Sequence, residues 1–260
     1  MKRAFDILLP VILAALLLAF WQWKVVHDAI PAYVLPAPSA ILHALVANWS
    51  TLSVSLVSTI VITLEGFLGA LVVAVVLAIL FSQSRLLERA LSPYAVILQV
   101  TPVVAIAPLI LIWVGFEHID VALSLIAGII AFFPILSNAV QGLKSADFHL
   151  LDLARLYGAS RWQTLWRIQM PSALPALLTG MKIGGVIALI GEVTAEFAAG
   201  SGTATGLAWR ITESGNRLEI ATMFAALALL GAVGIVIFLA LSGLEYLLLR
   251  HWHESAMRRL

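Results

Sequence analysis

Residues 143–173 read LKSADFHLLDLARLYGASRWQTLWRIQMPSA and lie between two apolar runs, 120–142 and 174–197. Each flanking run is long enough to cross a bilayer, which takes about 20 apolar residues. A connection of about 30 residues is long, and a structureless one would be unusual. This one carries helical grammar. Asp147 caps a predicted helix bearing Leu150, Leu151, Leu153, Ala154 and Tyr157. Gly158 stands where a left-handed C-terminal cap is wanted. Ser160 with Gln163 three residues on is a capping-box pattern. A second predicted helix carries Trp162, Leu165, Trp166 and Ile168, and Pro171 is expected to close it. The segment therefore reads as helix, glycine corner, helix, set between two membrane spans. Two roles fit that pattern. It is either an amphipathic hairpin whose Arg155, Arg161 and Arg167 meet lipid headgroups, or a docking element for a soluble partner, for which Trp and Arg are favoured anchors.

The rest of the chain agrees with a lipid solvent. Of its 260 residues, 62% are hydrophobic and 11% charged, against about 25% charged in soluble domains. The net charge of +1 gives no hint of a nucleic-acid partner. The absence of cysteine removes disulfides, thiolate metal sites and cysteine nucleophiles. Six spans are predicted, at 7–26, 55–81, 91–115, 120–142, 174–197 and 221–249, giving an all-α membrane protein. Pro102 and Pro108 should kink the third. The fourth contains Pro134, the fifth is rich in glycine and alanine, and the sixth has almost no polar interruption before Ser242 and Glu245. The N-terminus resembles a secretory signal, with Lys2 and Arg3 before an apolar run. It is followed by Trp21, Gln22, Trp23 and Lys24, an interfacial anchor, and so is expected to be a retained first span. Between the first two spans, Ser39 is expected to cap a short helix reaching about Trp49, after Pro31, Pro36 and Pro38. Residues 198–220 are polar and glycine-rich, then helical.

Basic residues orient these spans. The N-terminus, 82–90, 143–173 and 250–260 hold eleven of the 15 Lys and Arg residues; the opposite segments hold three, Lys24, Arg210 and Arg217. Both termini and the 143–173 loop are therefore expected to be cytoplasmic. The chain divides into 1–54 (first span and external segment), a core at 55–250 and a tail at 251–260.

Within the loop, Asp152-Leu153-Ala154, Gly158, Ile168 and Met170-Pro171 resemble the cytoplasmic signature of binding-protein-dependent ABC importer permeases: Glu-Ala-Ala, three residues, Gly, nine residues, Ile, one residue, Leu-Pro. Every spacing is kept, with Asp for Glu, Leu for the first Ala and Met for Leu. The stretch Leu35-Pro36-Ala37-Pro38-Ser39 and the run from Thr101-Pro102 through Pro108-Leu109 to Gly115 are similar to the sulfonate, taurine, nitrate and pyrimidine-precursor branch. The resemblance covers about 35–250. It implies the type I importer permease fold and a homodimer of two permease copies with two ABC ATPase subunits. A periplasmic solute-binding protein would deliver a small solute, and the location would be the bacterial inner membrane. It implies that ATP and Mg are used by the partner ATPase, with no cofactor on this chain. It makes the loop the ATPase-coupling element, through Asp152, Ala154, Arg155, Tyr157, Gly158, Ala159, Ser160, Arg161, Trp162 and Pro171.

Charges inside the spans are the remaining candidates. A charge at mid-bilayer costs about 2.5–3.5 kcal/mol on insertion scales, so Glu65, Lys182, Glu192 and Glu196 need an explanation. Glu192 and Glu196 share one helical face, on a span whose Gly and Ala residues allow close packing. Glu65, Glu192 and Glu196 either line a translocation path or serve structure: Glu65 by pairing, Glu196 by reaching the outer surface. Lys182 either serves the path or snorkels to the cytoplasmic side. Gly200–Gly206 is glycine-rich, but no Gly-Lys-Ser/Thr follows, so it reads as an external gate segment rather than a phosphate loop. His251 and His253 make a poor ligand pair. An ion-gradient-driven secondary transporter is the alternative function. It would call for internal repeats and a broken helix with ionisable groups at the midplane, and only isolated acids are present. An intramembrane enzyme would need a nucleophile and base that are not found.

Overall fold

The computed structural model describes residues 2–200 and 205–250. The described residues form helices α1 (Lys2–His27), α2 (Pro38–Ala47), α3 (Trp49–Gln83), α4 (Arg85–Val100), α5 (Val103–Val114), α6 (Ile119–Lys144), α7 (Phe148–Leu156), α8 (Arg161–Thr164), α9 (Met170–Ala199), α10 (Leu207–Asn216) and α11 (Ile220–Leu249). A π-turn at Leu165–Gln169 joins α8 to α9. Among the described residues, five stretches are long and apolar enough to span a membrane: Leu8–His27, Trp49–Gln83, Ile119–Lys144, Arg161–Ala199 and Ile220–Leu249.

The expected continuous span at 91–115 is instead a broken pair, α4 and α5. Thr101 is extended (φ −71°, ψ 124°) because the residue before a proline avoids helical backbone. Its hydroxyl donates to the Ile97 carbonyl at 2.7 Å, and Pro102 then caps α5. Pro108 stays inside α5. Six predicted spans thus become five long helices and one interrupted segment.

Two further expectations are corrected. Ser39 does not cap α2: Ala37 does, with an extended backbone and Pro38 in the first turn. Proline suits that position because its missing N–H would have no helical partner there. The Ser39 N–H donates instead to Gln22 Oε1 at 3.1 Å. The helix also stops at Ala47, and Trp49 opens α3. Nor does Pro171 close the loop. It lies in the first turn of α9, inside a helix continuous over Arg161–Ala199. The π-turn just before it shifts the hydrogen-bond register, so the proline ring and its missing N–H fit where an uninterrupted α-ladder would clash.

Contacts divide the chain into two units: 1–58 with 205–231, and 59–204 with 232–260. Residues 205–231 thus join the N-terminal segment. In the first unit, Leu52, Leu207, Ala225 and Ala226 form a buried core. Arg210 ties it together, donating to Ser55 Oγ at 2.9 Å and pairing with Glu213 at 2.6 Å.

The second unit is built on α3, α6 and α9. Its core holds Phe67, Ala70, Ala74, Ala78 and Phe81 from α3, with Ala131, Ile135, Leu136, Ala139 and Leu143 from α6, and Ala173 and Ala188 from α9. Most of these are alanines, so helices approach closely, as lipid-embedded helices must when their association depends on van der Waals contact. The α6–α9 pair is the most extensive. It runs antiparallel: Gly142 meets Ala173, Gly180 meets Asn138, and Gly191 meets Ala127. At the α3–α6 crossing, a Cβ on Gly66 would lie 2.6 Å from the Ser124 carbonyl oxygen.

Candidate functional site

The loop between α6 and α9 folds as its sequence predicts, up to Pro171. Asp147 caps α7, its side chain accepting from the His149 N–H at 2.8 Å. At the other end Gly158 takes φ +67°. The Gly158 N–H donates to the Arg155 carbonyl at 3.0 Å and the Ala159 N–H to the Ala154 carbonyl at 2.9 Å, which is a Schellman cap. This accounts physically for the glycine at 158, because glycine enters the left-handed region without strain; positions 154 and 159 contribute backbone groups only. Ser160 then starts α8 with a full capping box: the Gln163 N–H donates to Ser160 Oγ at 3.2 Å, and the Ser160 N–H donates to Gln163 Oε1 at 2.8 Å.

Leu165 is fully buried in the α3–α6–α9 core and pins α8 to it. Arg161 donates to the Gln83 carbonyl at 3.3 Å, linking α8 to the end of α3. Lys144 pairs with Glu88, linking α6 to α4. Asp152 and Arg155 pair at 2.9 Å in solvent, which contributes little to stability. Pro171 is exposed. Anchored this way, the corner carries an exposed apolar surface: Leu156 and Tyr157 are each 84% exposed, Trp162 61% and Trp166 58%. Large exposed apolar patches rimmed by polar groups mark contact surfaces.

The three membrane acids separate. Glu65 on α3 is exposed, and its Oε2 accepts from Ser124 Oγ of α6 at 3.1 Å. Glu192 and Glu196 on α9 are completely buried. The Thr59 hydroxyl and the Glu196 carboxylate lie beside Glu192, and Thr63, one turn on from Thr59, is buried too. Neither of these two carboxylates reaches the surface of the subunit. Lys182 pairs with Glu245 of α11 at 2.5 Å, a contact between residues far apart in sequence that sequence reasoning missed; the clue was that Lys182 is the one cation of the span 174–197 and Glu245 the one charge of the span 221–249. Among the described residues no group of three or more His, Cys, Asp or Glu side chains converges as metal ligands would. His251, His253 and residues 201–204 of the glycine-rich segment lie outside the described residues.

The comparisons with known proteins agree with this architecture. A family model described as "Binding-protein-dependent transport system inner membrane component" matches residues 70–254. The chain is 38% identical over 254 residues to the riboflavin transport system permease protein RibX of Chloroflexus aurantiacus, covering 95% of this chain and 90% of that protein. It is 30% identical to the formylaminopyrimidine transport permease protein ThiX of Halalkalibacterium halodurans, covering 96% of this chain and 98% of that protein. The inward-facing MetNI methionine ABC transporter has the same fold, with a TM-score of 0.58 over 75% of this chain and 93% of that chain at 21% identity. With five long apolar helices and a rigid helical corner between two of them, the chain belongs to the family of binding-protein-dependent transport system inner membrane components, as the permease subunit of an ABC importer.

Proposed function

We propose that this permease pairs with a second copy of itself in the bacterial inner membrane, with both termini cytoplasmic, and that each copy is gripped by one ATPase subunit through residues 143–173. ATP and Mg bind the ATPases. A periplasmic solute-binding protein presents the solute on the opposite side. Two relatives are named for riboflavin and formylaminopyrimidine transport, and a small heterocycle is the solute class we assign here.

The observation that carries this reading is the corner at Tyr157–Trp162. Its exposed aromatic side chains offer anchors of the kind that dominate interfaces, and its caps make it rigid. Because α8 continues into α9 over Arg161–Ala199, a displacement of the corner passes directly into a helix of the membrane core. A lever of this kind works only if the ATPase contacts it differently in its two nucleotide states. The eleven-to-three bias of basic residues supports the orientation.

Gly158→Pro tests the coupling. Proline fixes φ near −65°, whereas position 158 needs +67°, so the corner is lost while the spans remain. The expected result is normal membrane insertion with solute uptake uncoupled from ATP hydrolysis. Normal ATP-driven uptake by this variant would refute the assignment.

A further inference from the structure

We propose that the trough between α3 and α6 opens onto the aqueous solute path, and that Glu65 makes it favour cationic or N–H-donating solutes over anionic ones. This inference rests on the importer reading and narrows its substrate class.

The trough encloses about 530 Å³ and is walled by apolar side chains, among them Val73, Leu77, Leu125 and Phe132. Glu65 and Ser124 are its polar side chains. The Ser124 hydroxyl donates to Glu65 at 3.1 Å, whereas a carboxylate has about four acceptor positions. Three surroundings could satisfy the rest: lipid, a second protein surface, or water with solute. Acyl chains offer no donor, and a carboxylate facing them is strongly unfavourable. A dry contact with a second copy would have to bring a counter-charge. Three lysines of these helices already have acid partners: Lys24 with Asp28, Lys144 with Glu88 and Lys182 with Glu245. Water with solute supplies the donors without calling for a further counter-charge.

The chemistry of the trough then sets what it accepts. Apolar walls and the Phe132 ring suit a flat, largely apolar solute. The single carboxylate accepts from ring N–H, amine or amide donors. A fixed negative charge between low-dielectric walls focuses its field, attracts cations and repels anions. Sulfonates and nitrate fit such a trough poorly; N–H-rich heterocycles fit it well.

The chain has no cysteine, so a single Val73→Cys or Leu125→Cys substitution places a unique thiol on either wall. The complete transporter in membrane vesicles is treated with cationic and anionic methanethiosulfonates of matched size. Both reagents are expected to react, the cationic one about tenfold faster, and the preference is expected to vanish in Glu65→Gln. Failure of both thiols to react would put the trough against lipid or a dry contact and overturn the proposal, as would equal rates or an anionic preference with Glu65 intact. Co-purification of the ATPase is scored on the same vesicles. Its loss with the charge preference retained counts against the importer reading alone; its retention without labelling counts against the trough alone.

Discussion

Lys182 Nζ and Glu245 Oε2 meet at 2.5 Å between α9 and α11, with each side chain more than four-fifths enclosed. Neither charge would be tolerable alone in an apolar helix pair, so each explains the other's presence. Lys182→Met strands Glu245 and is expected to cost about 3 kcal/mol, whereas the double variant Lys182→Met/Glu245→Leu recovers most of it, because a buried pair replaced by apolar groups is often near neutral. Thermal unfolding in detergent checks this. Equal losses in the single and double variants would show that the two groups do not act as a pair.

The α3–α6 crossing sets a second expectation. Gly66→Ala forces a Cβ to within 2.6 Å of a backbone oxygen, and overpacking of this kind costs about 1–3 kcal/mol. Gly243→Ala on α11 meets nothing within 4 Å and should be neutral or slightly stabilising through helix propensity. Melting temperatures of the two variants should therefore move apart, with Gly66→Ala the lower.

The capping box gives a third. Ser160→Ala removes the acceptor for the Gln163 N–H, a loss of about 1 kcal/mol. Amide hydrogen exchange at Gln163 and Thr164, whose N–H groups are bonded to Ser160, should accelerate about fivefold while exchange in α6 is unchanged. Unaltered protection in that turn would mean that the box contributes no local stability.

The loop was legible because caps and corners are local. Asp147, Gly158, Ser160 and Gln163 each act within a few residues of themselves, and the structure contains each of these features. The long spans were legible because length and apolarity are linear properties. What depended on a neighbouring element was not. The Ser39 N–H is taken by Gln22, from a different helix, so a plausible local cap was the wrong one. Pro171 reads as a stop signal, and nothing local announces the π-turn that lets the helix run through it. Pro102 was expected to kink a span; whether a proline bends a helix or divides it depends on the surrounding packing. Burial of Glu192 beside Thr59 of α3 was likewise invisible, since a helical wheel gives a face but not the face it meets. The two acids share their side of α9 with Ala188 and Ala195, all buried.

In the proposed coupling, the ATPase holds the corner around Tyr157. Tyr157→Cys puts the only thiol of the chain at a position 84% exposed, and a short bifunctional thiol–amine crosslinker is applied to membranes carrying the whole transporter. Coupling through this corner predicts a crosslinked product containing this permease and the ATPase, with a yield that changes between ATP-bound and nucleotide-free states. A thiol that reacts only with impermeant reagents added from the periplasmic side, and never with the ATPase, would contradict it.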